Sequence, residues 1–390
     1  MRNRTLVLLA LATAVALAGC GGLGGTTTDA TNATTTTTAT DGSPATVTPD
    51  GGGNGGEAAD YPPGVTDAGL ENATALFEAD WTALNESGFA ASATLNRSTA
   101  GATLSLVREG SIEAGGQNAL LRNEERTANG TVETTIWRNE TVGLNRITES
   151  GFGGESATLY RQQSGIGRIG TNPFYGGPSA GIIALGDYSV ASVDGTGADT
   201  RITLTADAAN ESRAAQLRTS VASYESELVV DPTGRVRAVD TTVETDGQRA
   251  ATISIDYELR QAEGVSVDRP DWFDTGVSEA PDVSVSAELV NGSYVALTND
   301  GPDALAAGWQ VQLRTGLRPI SVDLPESVGS GETVYVSYPA DGQELRVTGS
   351  APSETGESVS GARGVTVVEV LSSGRTYPVA GTALGGTGRP

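Results

Sequence analysis

The spacing of apolar residues changes period along the chain, and each change marks a unit of structure. Leu70, Ala73, Phe77, Trp81 and Leu84 recur at helical steps, with Glu71, Glu78 and Glu86 on the other side. This predicts an amphipathic helix over 66–87, capped by Thr66 or Asp67 after Pro62-Pro63-Gly64 and ended by Gly88. From Phe89 to Asp271 the period becomes two. Phe89, Ala91, Ala93 and Leu95 share one face of a strand, and Ala102, Leu104 and Leu106 share a face of the next. Further strands are expected over 117–127, 131–138 and 141–148. A meander follows: Ala222, Tyr224, Leu228 and Val230 precede the turn Asp231-Pro232-Thr233-Gly234, then come 236–243, the turn Asp246-Gly247, and Ala251, Ile253, Ile255, Tyr257 and Leu259 in strict alternation.

Residues 150–187 are glycine-rich yet carry Phe152, Tyr160, Phe174, Tyr175, Ile182, Ile183 and Leu185. A polar linker would lack such side chains, so this segment is expected to fold over the sheet, with a short helix after Pro178. After Pro281, short strands are expected at 283–290, 294–298, 309–314, 320–324, 333–338, 344–348 and 365–371. Strands this short and this frequent fit an immunoglobulin-like β-sandwich, with Trp309 in its core. The fold class is therefore mainly β: a curved antiparallel sheet with a packed N-terminal helix over 61–275, a sandwich over 281–380 and a flexible tail over 381–390.

The N-terminus has a different character. Arg2 and Arg4 precede the apolar run Leu6–Leu17, which is too short to span a bilayer as a helix and reads as a secretory signal over 1–19. Leu17-Ala18-Gly19-Cys20 closes it and resembles the lipobox of bacterial and archaeal lipoproteins, which implies lipid attachment to the Cys20 thiol. Cys20 is the one cysteine in 390 residues, so no intramolecular disulfide can form. Residues 20–60, rich in Thr, Gly, Ala and Asp, lack the apolar side chains needed to offset ordering entropy and read as a disordered tether. A coil of that length reaches roughly 35 Å from a membrane. The expected location is the outer side of the cell membrane, held by lipid.

Charge narrows the setting. The chain carries 48 acidic residues, 24 arginines, no lysine and no histidine, for a net charge of −24. Molar salt shortens the Debye length to ~3 Å and screens the self-repulsion of such a surface, so the composition reads as a halophilic adaptation. It argues against nucleic acid as a partner. Asn-X-Ser/Thr triplets at Asn32, Asn72, Asn85, Asn96, Asn129, Asn139, Asn210 and Asn291 are candidate N-glycosylation sites, consistent with an exterior glycoprotein.

The order of lipobox, Thr-rich tether, Tyr61-Pro62-Pro63-Gly64-Val65, helix and long meander resembles a family of haloarchaeal surface lipoproteins. Leu228-Val229-Val230-Asp231-Pro232-Thr233-Gly234-Arg235 and the strand ending near Arg269-Pro270-Asp271-Trp272 are similar to the late hairpin of LolA/LppX-like lipoprotein carriers. That resemblance implies a half-barrel-like sheet holding acyl chains against helices. No ligand-contact motif of that family can be carried over to this chain.

Catalytic chemistry has few carriers here. Without His or Lys there is no Ser-His-Asp triad, histidine metal site or Schiff base, and lipidation would consume Cys20. Gly165-Ile166-Gly167-Arg168-Ile169-Gly170 matches G-x-G-x-x-G, but Pro173 and Gly176-Gly177 follow too closely for the helix a dinucleotide site needs, so a glycine-rich loop is expected and no cofactor. Asp231 and Asp300-Gly301-Pro302-Asp303 read as turn formers and not as metal ligands. Glu124-Glu125-Arg126 reads as a solvated strand edge or hairpin. Phe77 and Trp81 on the helix with Tyr224 and Tyr257 on strands form a candidate apolar groove, although a packed core explains the same residues. The expected function is a non-catalytic structural or interaction protein of the cell surface, with a cell-surface protein or glycan as partner. The alternative is a carrier of a lipid or other apolar ligand in the 61–275 unit.

Overall fold

The structure is a computed structural model that describes residues 60–384 except 165–168, 170, 217–219, 248–249, 316–317, 341–343 and 354. The expected signal peptide, Cys20, Asn32, the tether up to residue 59, the Gly165–Gly170 motif apart from Ile169, and residues 385–390 lie outside the described residues.

A small hairpin, β1 (Val65–Thr66) and β2 (Gly69–Leu70), replaces the expected first helical turn. The helix α1 (Ala73–Ser87) starts later, with Asn72 as its cap: the Asn72 side chain accepts from the Ala75 N–H at 3.1 Å. Gly69, at φ 138°, permits the hairpin, because a Cβ there would stand 1.9 Å from the Tyr188 carbonyl oxygen. The stripe that α1 buries is Ala73, Leu76, Asp80 and Leu84, and Phe77 and Trp81 lie half-buried beside it.

The strands β3 (Phe89–Thr99), β4 (Ala102–Ile112), β5 (Ala119–Thr127), β6 (Gly130–Arg138), β7 (Val142–Ser150) and β8 (Ala157–Ser164) form one antiparallel run. The chain then makes α2 (Pro178–Ile183), the expected helix after Pro178. It returns through β9 (Ser189–Asp194), β10 (Arg201–Ala206), α3 (Glu211–Gln216), β11 (Val221–Val230), β12 (Val236–Thr245) and β13 (Ala251–Gln261). Strand β13 pairs with β3 and joins the two runs into a single sheet of eleven strands, in the order β8-β7-β6-β5-β4-β3-β13-β12-β11-β10-β9.

Register assigns the faces. Ala93, Tyr257, Val239, Leu228 and Leu204 lie abreast across five strands and face α1. Segment 171–188 lies on the same face, with Phe174, Tyr175, Ile183, Leu185 and Tyr188 buried in the same core. The opposite face of these strands is exposed and acidic, with Glu227, Asp240 and Asp256 in line. Burial and the neighbouring charges of Asp240 and Glu258 raise the Asp256 carboxyl above its ordinary range.

A short helix, α4 (Phe273–Glu279), extends the first unit past its expected end at 275 and packs on β7 and β8 from the face opposite α1. The C-terminal unit then comprises β14 (Val285–Val290), β15 (Tyr294–Asn299), β16 (Gln310–Thr315), β17 (Arg318–Asp323), β18 (Thr333–Ser337), β19 (Arg346–Thr348), β20 (Gly364–Val370) and β21 (Thr376–Ala383). They make two four-stranded sheets, β14-β15-β18-β19 and β17-β16-β20-β21, around a core that includes Val295, Leu297, Val311, Leu313, Val336 and Val367. Strand β21 pairs with β20 through Ala383, so the expected flexible tail over 381–390 begins inside the sheet. Trp309 is half-buried at the border of this core instead of filling it, because it stands in the turn before β16.

The two units are fastened by polar contacts at the β20–β21 turn. Glu149 on β7 is 1% exposed and accepts from Ser372 Oγ at 3.3 Å, from the Ser373 N–H at 3.1 Å and from the Ser373 hydroxyl. Arg375 pairs with Glu125, and Arg161 on β8 pairs with Glu369. Glu124-Glu125-Arg126 is thus no solvated edge: Glu124 is buried beside Arg122 and Arg126, and Glu125 reaches the other unit. By register, Glu125, Glu149 and Arg161 project from the face that carries α1. The sandwich therefore covers the part of that face which α1 does not reach.

Close packing of α4 makes a local test. A Cβ at Gly276 would stand 2.6 Å from Leu144 Cδ2 and 2.9 Å from Tyr160 Cδ1. Overpacking costs about 1–3 kcal/mol, more than the ~1 kcal/mol that alanine adds to a helix. Gly276→Ala is expected to lower the denaturation midpoint, and an unchanged or raised midpoint would show that α4 is not seated on the sheet.

Candidate functional site

The interface between α1 and the sheet is the place for an internal ligand, and the chain's own side chains fill it. Phe77 meets Tyr175 at 5.6 Å between ring centroids, and Tyr175 meets Tyr257 edge-on at 4.7 Å. Trp81 packs on Phe89, which packs on Phe174. Tyr224 lies farther along the sheet, where its hydroxyl donates to the Ile183 carbonyl at 2.9 Å and its ring crosses Tyr188. Phe77, Trp81, Tyr224 and Tyr257 therefore do not line one groove among the described residues: Tyr175 stands between the helix pair and Tyr257, and Tyr224 belongs to a separate contact.

Asp80 anchors this arrangement. It is a fully buried acid on the core face of α1. Its Oδ1 accepts from the Val236 N–H at 2.8 Å, and its Oδ2 accepts from Asn172 Nδ2 at 3.2 Å and from the Tyr175 hydroxyl. One carboxyl thereby ties α1 to β12 and to segment 171–188. From the sheet, Arg108 donates to the carbonyls of Pro173 and Phe174 at 3.0 and 3.2 Å and fixes the same segment. Burial raises the Asp80 carboxyl from 3.8 to about 6, against the opposing pull of its hydrogen bonds. Asp80 lies four residues from both Leu76 and Leu84, so a stripe read through Leu76 would have exposed an acid in the core.

The candidate glycosylation sites fall in varied settings. Asn72, Asn96, Asn129 and Asn291 are exposed, with Asn129 in the β5–β6 turn and Asn291, at φ 50°, in the β14–β15 turn. Asn85, Asn139 and Asn210 are partly covered. The Asn139 side chain accepts from both the backbone and the hydroxyl of Thr141 at 3.0 Å, and Asn210 accepts from the Arg213 N–H at 3.2 Å. Asp231 acts as the expected turn former: its Oδ1 accepts from the Thr233 and Arg235 N–H groups, and its Oδ2 pairs with Arg237 at 2.5 Å.

A second location lies on the sheet face opposite α1, at Arg269-Pro270-Asp271-Trp272. These residues do not end a strand as expected: β13 stops at Gln261 and they follow in the connection to α4. The chain leaving β13 crosses this face, and beside it lies an open depression of about 580 Å3 bordered by Leu120, Arg146, Arg269 and Trp272. The Arg146 guanidinium lies over the Trp272 ring at 5.5 Å, and Arg269 lies over Phe273 at 4.9 Å. Phe273 packs edge-on against Trp137 at 4.7 Å, which seats this turn on the sheet. Among the described residues, no group of His, Cys, Asp and Glu converges as a metal site, and no helix is long and apolar enough to cross a membrane.

The fold is thus a wide antiparallel sheet with a filled helix face, joined to a β-sandwich, with an open depression on the other side. Comparison with protein families and with curated proteins gives no match. Among solved structures, the chain is similar to MucB in complex with MucA(peri), at 12% identity over 77% of this chain and 87% of that one, with a TM-score of 0.23. It is similar also to a MucA/MucB complex from Pseudomonas aeruginosa, at 13% identity over 77% and 88%, TM-score 0.22. A third is a DUF1329 family protein from Desulfovibrio piger, at 12% identity over 50% and 92%, TM-score 0.20. Likenesses this slight carry no argument about function.

The Asp80 cluster predicts a pH dependence. A carboxyl raised in the folded state binds its proton more tightly there than in the unfolded chain. Stability should therefore fall by roughly 3 kcal/mol as pH rises from about 4 to about 6, and then level off. Asp80→Asn removes this contribution. Urea unfolding of both proteins across this range should show the wild type gaining on the variant toward acid, and parallel curves would contradict the assignment.

Proposed function

We propose that this chain is a non-catalytic protein of the cell surface, anchored by lipid on Cys20, whose folded part binds partners on its outer surface. The observation that carries this reading is Tyr175, which occupies the space between α1 and the sheet where a carried lipid would lie. Internal carriage would require that aromatic segment to leave a site where Asp80 and Arg108 hold it. The absence of His and Lys from the sequence supports a non-catalytic role. The net charge of −24 disfavours anionic partners and leaves proteins and neutral glycans of the cell surface as candidates.

Two measurements test this. Mass spectrometry of organic extracts from the full chain, purified in about 2 M NaCl, should find no stoichiometric lipid beyond the one attached covalently. A bound lipid present in repeated preparations would restore the carrier reading. Cys20→Ser should move the protein from the membrane fraction to the medium, and retention in the membrane would place the anchor elsewhere.

A further inference from the structure

We propose that the depression beside Trp272 is a binding site for an uncharged saccharide. The inference rests on the outer-surface reading above and names the ligand class. The volume, about 580 Å3, lies within the range of small-molecule sites. Leu120, Pro270 and Trp272 supply apolar surface, while Arg146, Arg269, Asp268 and Asp271 supply the polar groups. Glu133 and Asp274 already pair with the two arginines, so the patch keeps the acidic sign of the surrounding surface, carried by Asp268 and Asp271.

The polar groups are set and available. Each guanidinium is held against an aromatic ring, and each has one carboxylate partner at moderate distance: Glu133 at 3.3 Å for Arg146 and Asp274 at 3.4 Å for Arg269. With five N–H groups apiece, both keep donors to spare. Asp268 and Asp271 are exposed, enter no ion pair among the described residues and can accept.

The mixture selects a ligand by elimination. A phosphate or carboxylate would meet two unpaired aspartates beside arginines already paired to Glu133 and Asp274. An acyl chain would strip water from four charged groups without replacing their hydrogen bonds. A sugar ring presents C–H groups on one side and hydroxyls that both donate and accept around its edge, which matches a lining of Leu120, Pro270 and Trp272 interspersed with Arg and Asp. Recognition through hydroxyls also keeps its strength where molar salt reduces the reach of charges to ~3 Å.

The test is ligand-observed saturation-transfer NMR on the full chain with Cys20→Ser, in about 2 M NaCl, using maltotetraose, cellotetraose, mannotetraose and tetra-N-acetylchitotetraose as probes. At least one should bind saturably. Ser266→Trp, which fills the depression from an exposed position without removing either arginine, should weaken it by about tenfold or more, and Asp271→Asn should weaken it in the same direction. No saturable binding by any of the four, undiminished binding to Ser266→Trp, or tighter binding of glucuronate than of the neutral sugars would each overturn the proposal. Such a failure leaves the lipid-extract result unchanged, whereas lipid in the extract sinks the outer-surface reading whatever the sugars do.

Discussion

An eleven-stranded sheet has more apolar surface than one helix can cover, and the rest of the structure follows from that shortage. Eleven strands extend about 48 Å across, whereas the 15 residues of α1 make a rod about 22 Å long. The remainder of that face needs other covers, and the chain supplies two. Segment 171–188 extends the cover of α1 over the central strands, and the end of the β-sandwich lies over β5 to β8.

Each cover is fastened by a carboxylate that points into the contact. Asp80 holds the aromatic segment, and Glu149 holds the β20–β21 turn. A buried carboxylate is costly to leave unpaired, so each gains most of its worth from having several donors in place at once. Hydrophobic burial supplies the driving force under the covers, while these groups fix where each one sits. One consequence is that the helix face is committed to structure, while the other face carries only the segment leaving β13 and α4 and is otherwise open to solvent.

Much of this was legible in the sequence because period-two alternation survives burial. The strands of the meander, the short helix after Pro178 and the packing of Phe174, Tyr175, Ile183 and Leu185 on the sheet followed from side-chain spacing, whereas Ala157–Ser164, expected to fold over the sheet, is its edge strand β8. The start of α1 did not, because the β1–β2 hairpin depends on Gly69 approaching the Tyr188 carbonyl, more than a hundred residues away. The helix stripe was displaced for a related reason. Large rings at Phe77 and Trp81 suggested the core side, but the register is set by Asp80 meeting Asn172, Tyr175 and the Val236 N–H. The Trp272 depression was illegible because it joins strands to a crossing segment as far apart as Ser111 and Trp272, with no local motif.

Segment 171–188 is a fixed part of the core. Amide hydrogen exchange tests this at Phe174 and Gly176, whose N–H groups bond to the Asn172 side chain at 3.0 Å and to its carbonyl at 2.8 Å. The account predicts exchange at these two amides as slow as in β12 and β13, through opening of the whole unit. Exchange at the rate of an exposed loop, with β12 and β13 still protected, would show a segment that lifts off the sheet and would contradict it.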